Sequence, residues 1–310
     1  MKEIEPWGVN VPFLVLGLIY WCIGGISLFE NITFHPLLMM IGTYSIYFGM
    51  FQRLFFPARN YLALHLISLV LLAIPVYPFQ ALASLALIGV EVWGIRDIKS
   101  YGSKFPVNWL VLSSPLASSL AWFLYPLKIW VLVIPLLLYL LGVNVGVFSA
   151  TLGLKPKFGR RQLPILGLVI VTSFFPKFFP ILIISYGLWL LLGTKRVKFN
   201  LTALLSLLAP VIASISSVFL GEEIHAFALG LMAPFFFGCI TYSTSRYNYG
   251  KMIPVPVLLL LAYLLRFWNL EVSSIFFILP TLYFIFMIRD NFTLTTLRLG
   301  MASRECPERK

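Results

Sequence analysis

The chain has 310 residues, 60% of them hydrophobic and only 11% charged, with a mean hydropathy of +0.94, a balance that excludes a soluble globular domain. The net charge of +12 comes from 23 Lys and Arg against 11 Asp and Glu. These cations are scattered over the junctions between apolar runs, which excludes a nucleic-acid-binding face, where they would gather on one folded surface.

At the N-terminus, MKEIEPWG has no basic n-region and no small-residue cleavage site, so no cleavable signal peptide is expected. Twelve apolar stretches follow, near 11–29, 35–52, 60–76, 79–95, 107–124, 126–147, 162–175, 178–193, 201–220, 224–243, 254–270 and 272–289. A span needs about 20 apolar residues to cross roughly 30 Å of hydrocarbon. The reading is therefore an all-α, polytopic transmembrane helix bundle of about twelve spans, a single integral membrane domain over 1–310 with a short basic tail at 290–310. Counting from the first span, Lys128, Lys177 and Arg266 are the only Lys or Arg on the side opposite the N-terminus, a side that also holds Glu30, Glu222, Glu223 and Glu271. Positive charge in short loops stays cytoplasmic, so both termini are expected inside, in a cell (plasma) membrane.

Proline punctuates the series. Most prolines stand at span ends, whereas Pro115, Pro135, Pro210, Pro234 and Pro280 fall inside spans and are expected to kink them. The stretches 162–175 and 178–193 are short and divided only by Pro176 and Lys177, so a re-entrant hairpin is the alternative to two spans there. Of the three cysteines, Cys22 and Cys239 lie within spans and Cys306 in the tail, with no C-x-x-C and no outer pair for a disulfide.

Catalytic chemistry is scarce. No Asp lies in a span interior, and there is no nucleophile elbow, phosphate-binding glycine loop or H-E-x-x-H. Glu91 sits near the inner end of its span, where Arg96 is one turn away and an interfacial pair is expected. The histidines say more. His35 opens the second span and His225 the tenth, so both lie at the outer face at similar depth, within about one helical turn. His65 starts the third span on the other side. Seven-residue steps from His35 reach Gly42 and Gly49, which would leave an open face below the imidazole, and the tenth span carries Gly230, Pro234 and Gly238. Two opposed imidazoles beside small residues suit a b-type haem, with His35 and His225 as axial ligands of the iron. Arg266, near the outer end of the eleventh span, would face a haem propionate. Histidine is equally at home among lipid headgroups, and small residues recur at helix contacts, so spacing leaves both readings open.

The segment from His225 through Ala226, Phe227, Ala228, Leu229, Gly230, Leu231 and Met232 to Gly238, Cys239, Ile240, Thr241 and Arg246 resembles the late histidine helix of the NnrS family. The segment from His35 and Pro36 to Gly42, then Gly49, is similar to that family's early histidine helix. NnrS proteins are twelve-span haem proteins linked to nitric-oxide metabolism and distantly resemble haem–copper oxidase subunit I. The resemblance implies that His35 and His225 hold a low-spin haem and that Arg266 meets its propionates. It covers these two segments, the rest of the chain only by span count. One departure is the stretch Arg246, Tyr247, Asn248, Tyr249, Gly250, which lacks the family's further histidine.

The copper-site histidines of true oxidases are missing, with Asn144 and Gln162 the nearest substitutes. No copper or non-haem iron, no oxidase or reductase turnover by this chain alone and no proton pumping are therefore expected. The resulting expectation is electron relay or a nitric-oxide-related role, with an extracytoplasmic redox partner or respiratory complex subunits and no nucleic acid. The alternative is a secondary transporter of a small solute without a cofactor, for which twelve spans with both termini inside is a common plan.

Overall fold

The computed structural model describes residues 8–30, 34–55, 58–95 and 108–301, all helix, turn or loop with no strand among them. Twelve apolar helices fall one on each of the twelve apolar stretches. They are α1 (Val11–Phe29), α2 (His35–Gln52), α3 (Leu62–Leu72), α4 (Tyr77–Gly94), α5 (Trp109–Leu124) and α6 (Val133–Leu152). Then come α7 (Leu163–Phe174), α8 (Phe179–Leu191), α9 (Leu201–Leu220), α10 (Glu223–Thr244), α11 (Pro254–Leu265) and α12 (Leu270–Met287). A short polar helix, α13 (Leu294–Met301), follows. Among the described residues, five segments are long and apolar enough to cross a membrane by length and composition: Gly8–Phe29, Ile129–Leu152, Leu201–Leu220, Glu223–Thr244 and Leu270–Met287.

Local sequence explains the helix ends. Pro12, Pro36, Pro78, Pro164 and Pro180 stand in first turns, where the missing donor costs nothing. Asn200 and Asn269 cap α9 and α12, each side-chain oxygen accepting from a backbone N–H at 3.0 Å. Gly153 and Gly221, at φ 72° and 73°, end α6 and α9 in the left-handed region. The third stretch stops early, at Leu72, because Pro75 disfavours helical geometry just before it. Pro135 lies in the first turn of α6 and so is not a kink site, contrary to the expectation for it. Pro115, Pro210 and Pro280 are inside helices.

Contacts gather the chain into two compact units, divided within α5 at Pro115. In the unit built from α1 to α4, the end of α5 and α13, the pair α1 and α2 is joined by glycine. A Cβ on Gly42 would lie 2.6 Å from Trp21 Cδ1 and 2.8 Å from the Gly17 carbonyl, and one on Gly49 would lie 2.6 Å from Phe13 Cβ. Helices this close are the small-residue packing of membrane proteins, driven by dispersion where lipid offers no hydrophobic gain. Trp21 Nε1 adds hydrogen bonds of 3.2 Å to the Met39 carbonyl and to Thr43 Oγ1. In the other unit, α6 and α10 are the inner helices, 78% buried along their spans, and α12 is peripheral at 22%.

The helices α7 and α8 have 12 and 13 residues, about 18–20 Å at 1.5 Å per residue, and a 3₁₀ turn at Pro176–Phe178 joins them. That is short of roughly 30 Å of hydrocarbon, as are α3 and α11 with 11 and 12 residues, so helix length alone does not separate the hairpin from two spans.

Candidate functional site

Gly221 ends α9 and Glu222 caps α10, its carbonyl accepting from the Ala226 N–H at 3.0 Å. One helical turn brings the His225 ring back over the Glu222 side chain, and His225 Nδ1 hydrogen-bonds Glu222 Oε2. The same oxygen lies 3.5 Å from Nε of Arg266, which caps the C-terminus of α11. The structure thus joins two of the expected site residues, His225 and Arg266, through a carboxylate not assigned to them beforehand. All three side chains are half-buried, at 25%, 22% and 37% exposed for His225, Arg266 and Glu222.

His35 belongs to the other unit. Its Nδ1 lies 2.7 Å from the carbonyl oxygen of Gly24. A carbonyl can only accept, so Nδ1 carries the proton and a neutral ring presents its lone pair at Nε2. The Glu222 carboxylate likewise accepts from a protonated Nδ1 of His225. A carboxylate or carbonyl on Nδ1 is the outer-shell partner that orients ligating histidines and raises their basicity.

Directly after His225, residues Ala226–Met232 form a π-helix, within α10. Pro234 follows it and cannot donate to the Gly230 carbonyl, so the regular ladder is already broken there. Such widened turns collect at functional sites. Gly230 lies against α9, where a Cβ would come within 2.1 Å of Ala213 Cβ.

The third histidine, His65, is 3% exposed on α3, and neither ring nitrogen has a hydrogen-bond partner among the described residues. Its ring stands edge-on to Tyr61 with centroids 6.2 Å apart. Glu91 lies half-buried near the end of α4, whereas its expected partner Arg96, the loop at Asn31 expected outside and the tail cysteine Cys306 lie outside the described residues. Among the described residues, no three His, Cys, Asp or Glu side chains form a set able to hold a metal ion.

The haem expectation divides on these observations. The imidazoles fit as donors, each tethered at Nδ1. The slot does not: the face of Gly42 and Gly49 below His35 is covered by Trp21 and Phe13, and Gly230 is spent on α9. The spacing of those glycines was a helix-packing signal, and their open space is filled by neighbours that sequence periodicity does not reveal. Glu222 was legible as a charge but not as a partner, because its proximity to Arg266 depends on how α10 and α11 pack.

Comparison of the chain with protein-family models, with curated proteins and with solved structures finds no match.

Proposed function

We propose that the chain is a twelve-span integral membrane protein of a prokaryotic plasma membrane, with both termini cytoplasmic, that binds a b-type haem through His35 and His225. Its role is electron relay, either NnrS-like and nitric-oxide-related or as a polytopic subunit of a respiratory cytochrome complex. The observation that carries this reading is the matched tethering of the two imidazoles, by the Gly24 carbonyl and the Glu222 carboxylate. A bound haem supplies reversible one-electron transfer, with ligand identity and second-shell hydrogen bonds setting its potential. Within this chain, Gly24 and Glu222 orient the two rings through Nδ1, and Arg266 balances the Glu222 charge that would otherwise face the site alone. One apolar helix on each of twelve apolar stretches supports the span count, and the one-sided distribution of Lys and Arg supports the orientation.

The covered glycine faces favour a second reading, a carrier of a small solute without a cofactor. A reduced-minus-oxidised absorption spectrum of the purified protein separates the two. The haem reading expects a low-spin b-type signal that His35→Ala and His225→Ala each remove and His65→Ala leaves intact. A spectrum with no haem bands from protein expressed with ample haem would leave the carrier as the function.

A further inference from the structure

A cleft of about 250 Å³ opens where the C-terminal end of α12 meets the 3₁₀ turn Arg246–Lys251. Hydrogen bonds that bury no unpaired charge fix its frame. Asn248 Nδ2 donates to the Met287 carbonyl at 2.6 Å, and the Tyr283 hydroxyl to the Lys251 carbonyl at 3.0 Å. The Tyr247 hydroxyl donates to Asp290 Oδ2 at 2.6 Å. Burial, and then that hydrogen bond, push the Tyr247 phenol up from its ordinary pKa, so it stays a donor and keeps Asp290 engaged.

Two cations stand on this frame. The Arg289 guanidinium lies 4.0 Å above the Phe286 ring and 4.0 Å from Asp290 Oδ1, with 54% of its side chain exposed. An exposed pair at that distance does little to neutralise it. Lys251 Nζ reaches the Asn248 amide oxygen at 3.4 Å and has no carboxylate partner among the described residues. From the cleft, an apolar stripe runs down α12 through Phe286, Leu282, Leu279 and Ile275, each at least half exposed. Their spacing places them on one face of a helix that is long and apolar enough to cross a membrane.

We propose that this cleft binds the phosphate of an anionic membrane lipid between Lys251 and Arg289, with an acyl chain lying along the α12 stripe. The stripe selects a lipid over a free phosphate, because only an amphiphile covers the half-exposed side chains while it meets the cations. Paired basic residues at the membrane surface are the usual headgroup recognition chemistry. The site rests on the membrane reading of α12 and is independent of haem.

The test uses the full chain, purified in a mild detergent and stripped of lipid, with thermal unfolding followed during titration. The probes are dioleoylphosphatidylglycerol, dioleoylphosphatidylcholine and inorganic phosphate. Phosphatidylglycerol is expected to raise the unfolding midpoint, with apparent affinity roughly thirty-fold above that for phosphatidylcholine, from two cations near the surface. The preference should vanish in the double variant Lys251→Gln, Arg289→Gln and survive in the charge-keeping Lys251→Arg, Arg289→Lys. Single glutamine variants, each losing part of the preference, keep the test decisive should the pair not fold. Equal stabilisation by phosphatidylcholine, a preference that persists without the cations, or a match by inorganic phosphate alone would overturn the proposal.

Discussion

A carboxylate on Nδ1 makes an imidazole both a better ligand and a better-oriented one, and Glu222 does this to His225 from only three residues away. The same carboxylate takes Arg266, so the guanidinium first compensates an internal charge, and any propionate would compete for it. At this scale the glycines give the sharpest prediction. Gly42→Ala would place a methyl 2.8 Å from the Gly17 carbonyl, backbone that cannot swing aside. It should cost about 1–3 kcal/mol, seen as a lower unfolding midpoint in detergent. Gly25→Ala is the control: nothing lies within 4 Å of that Cβ, so the helix should gain up to about 1 kcal/mol. Equal effects at the two positions would mean that α1 and α2 are not packed through glycine.

Among the elements, α10 departs most from its simplest reading as a proline-kinked helix. A π-turn is in effect one residue inserted into an α-helix, and its widened turn absorbs that residue so that the flanking faces keep the phase of an uninterrupted helix. Deleting Leu229, half-buried in Ala226–Met232, should restore a regular helix with Glu222 to His225 and Ala233 to Thr244 in register. Folded, monodisperse protein with a midpoint only a few degrees lower is the expected result. Deleting Leu140 from the regular, deeply buried α6 should abolish folding, because one residue rotates the following faces by about 100°. If both deletions prove equally damaging, the π segment is not an insertion.

For the whole molecule, orientation is the prediction that separates the topologies. In a cysteine-free background, Asn31→Cys should react with an impermeant thiol reagent on intact cells and Lys157→Cys should not. The opposite labelling would invert the bundle and move His35 and His225 to the cytoplasmic face. The background is needed because native Cys22 is exposed on α1. Labelling at Lys157 and also at Lys198 after lysis alone would keep both on one side, whether 162–193 makes two crossings or a hairpin, since either preserves parity.

Composition and hydropathy by themselves determined the all-helical class and the place of every apolar helix, because a chain in lipid must satisfy its backbone within each segment and only a long apolar run can do so. Proline, asparagine and glycine likewise account for several helix ends, since their effects are local: a missing donor, a short capping side chain, a tolerated positive φ. His35 and His225 could be singled out as residues, and so could the glycines near them. What those glycines face was a tertiary matter: Trp21 and Phe13 fill the space below His35, and Ala213 meets Gly230. The Glu222 bridge between His225 and Arg266 and the cleft between Lys251 and Arg289 also appear only when separate helices are packed. Periodicity reports which residues share a face of one helix. What covers that face is set by dispersion and hydrogen bonding between helices distant in sequence, and one helix's pattern does not record its neighbour.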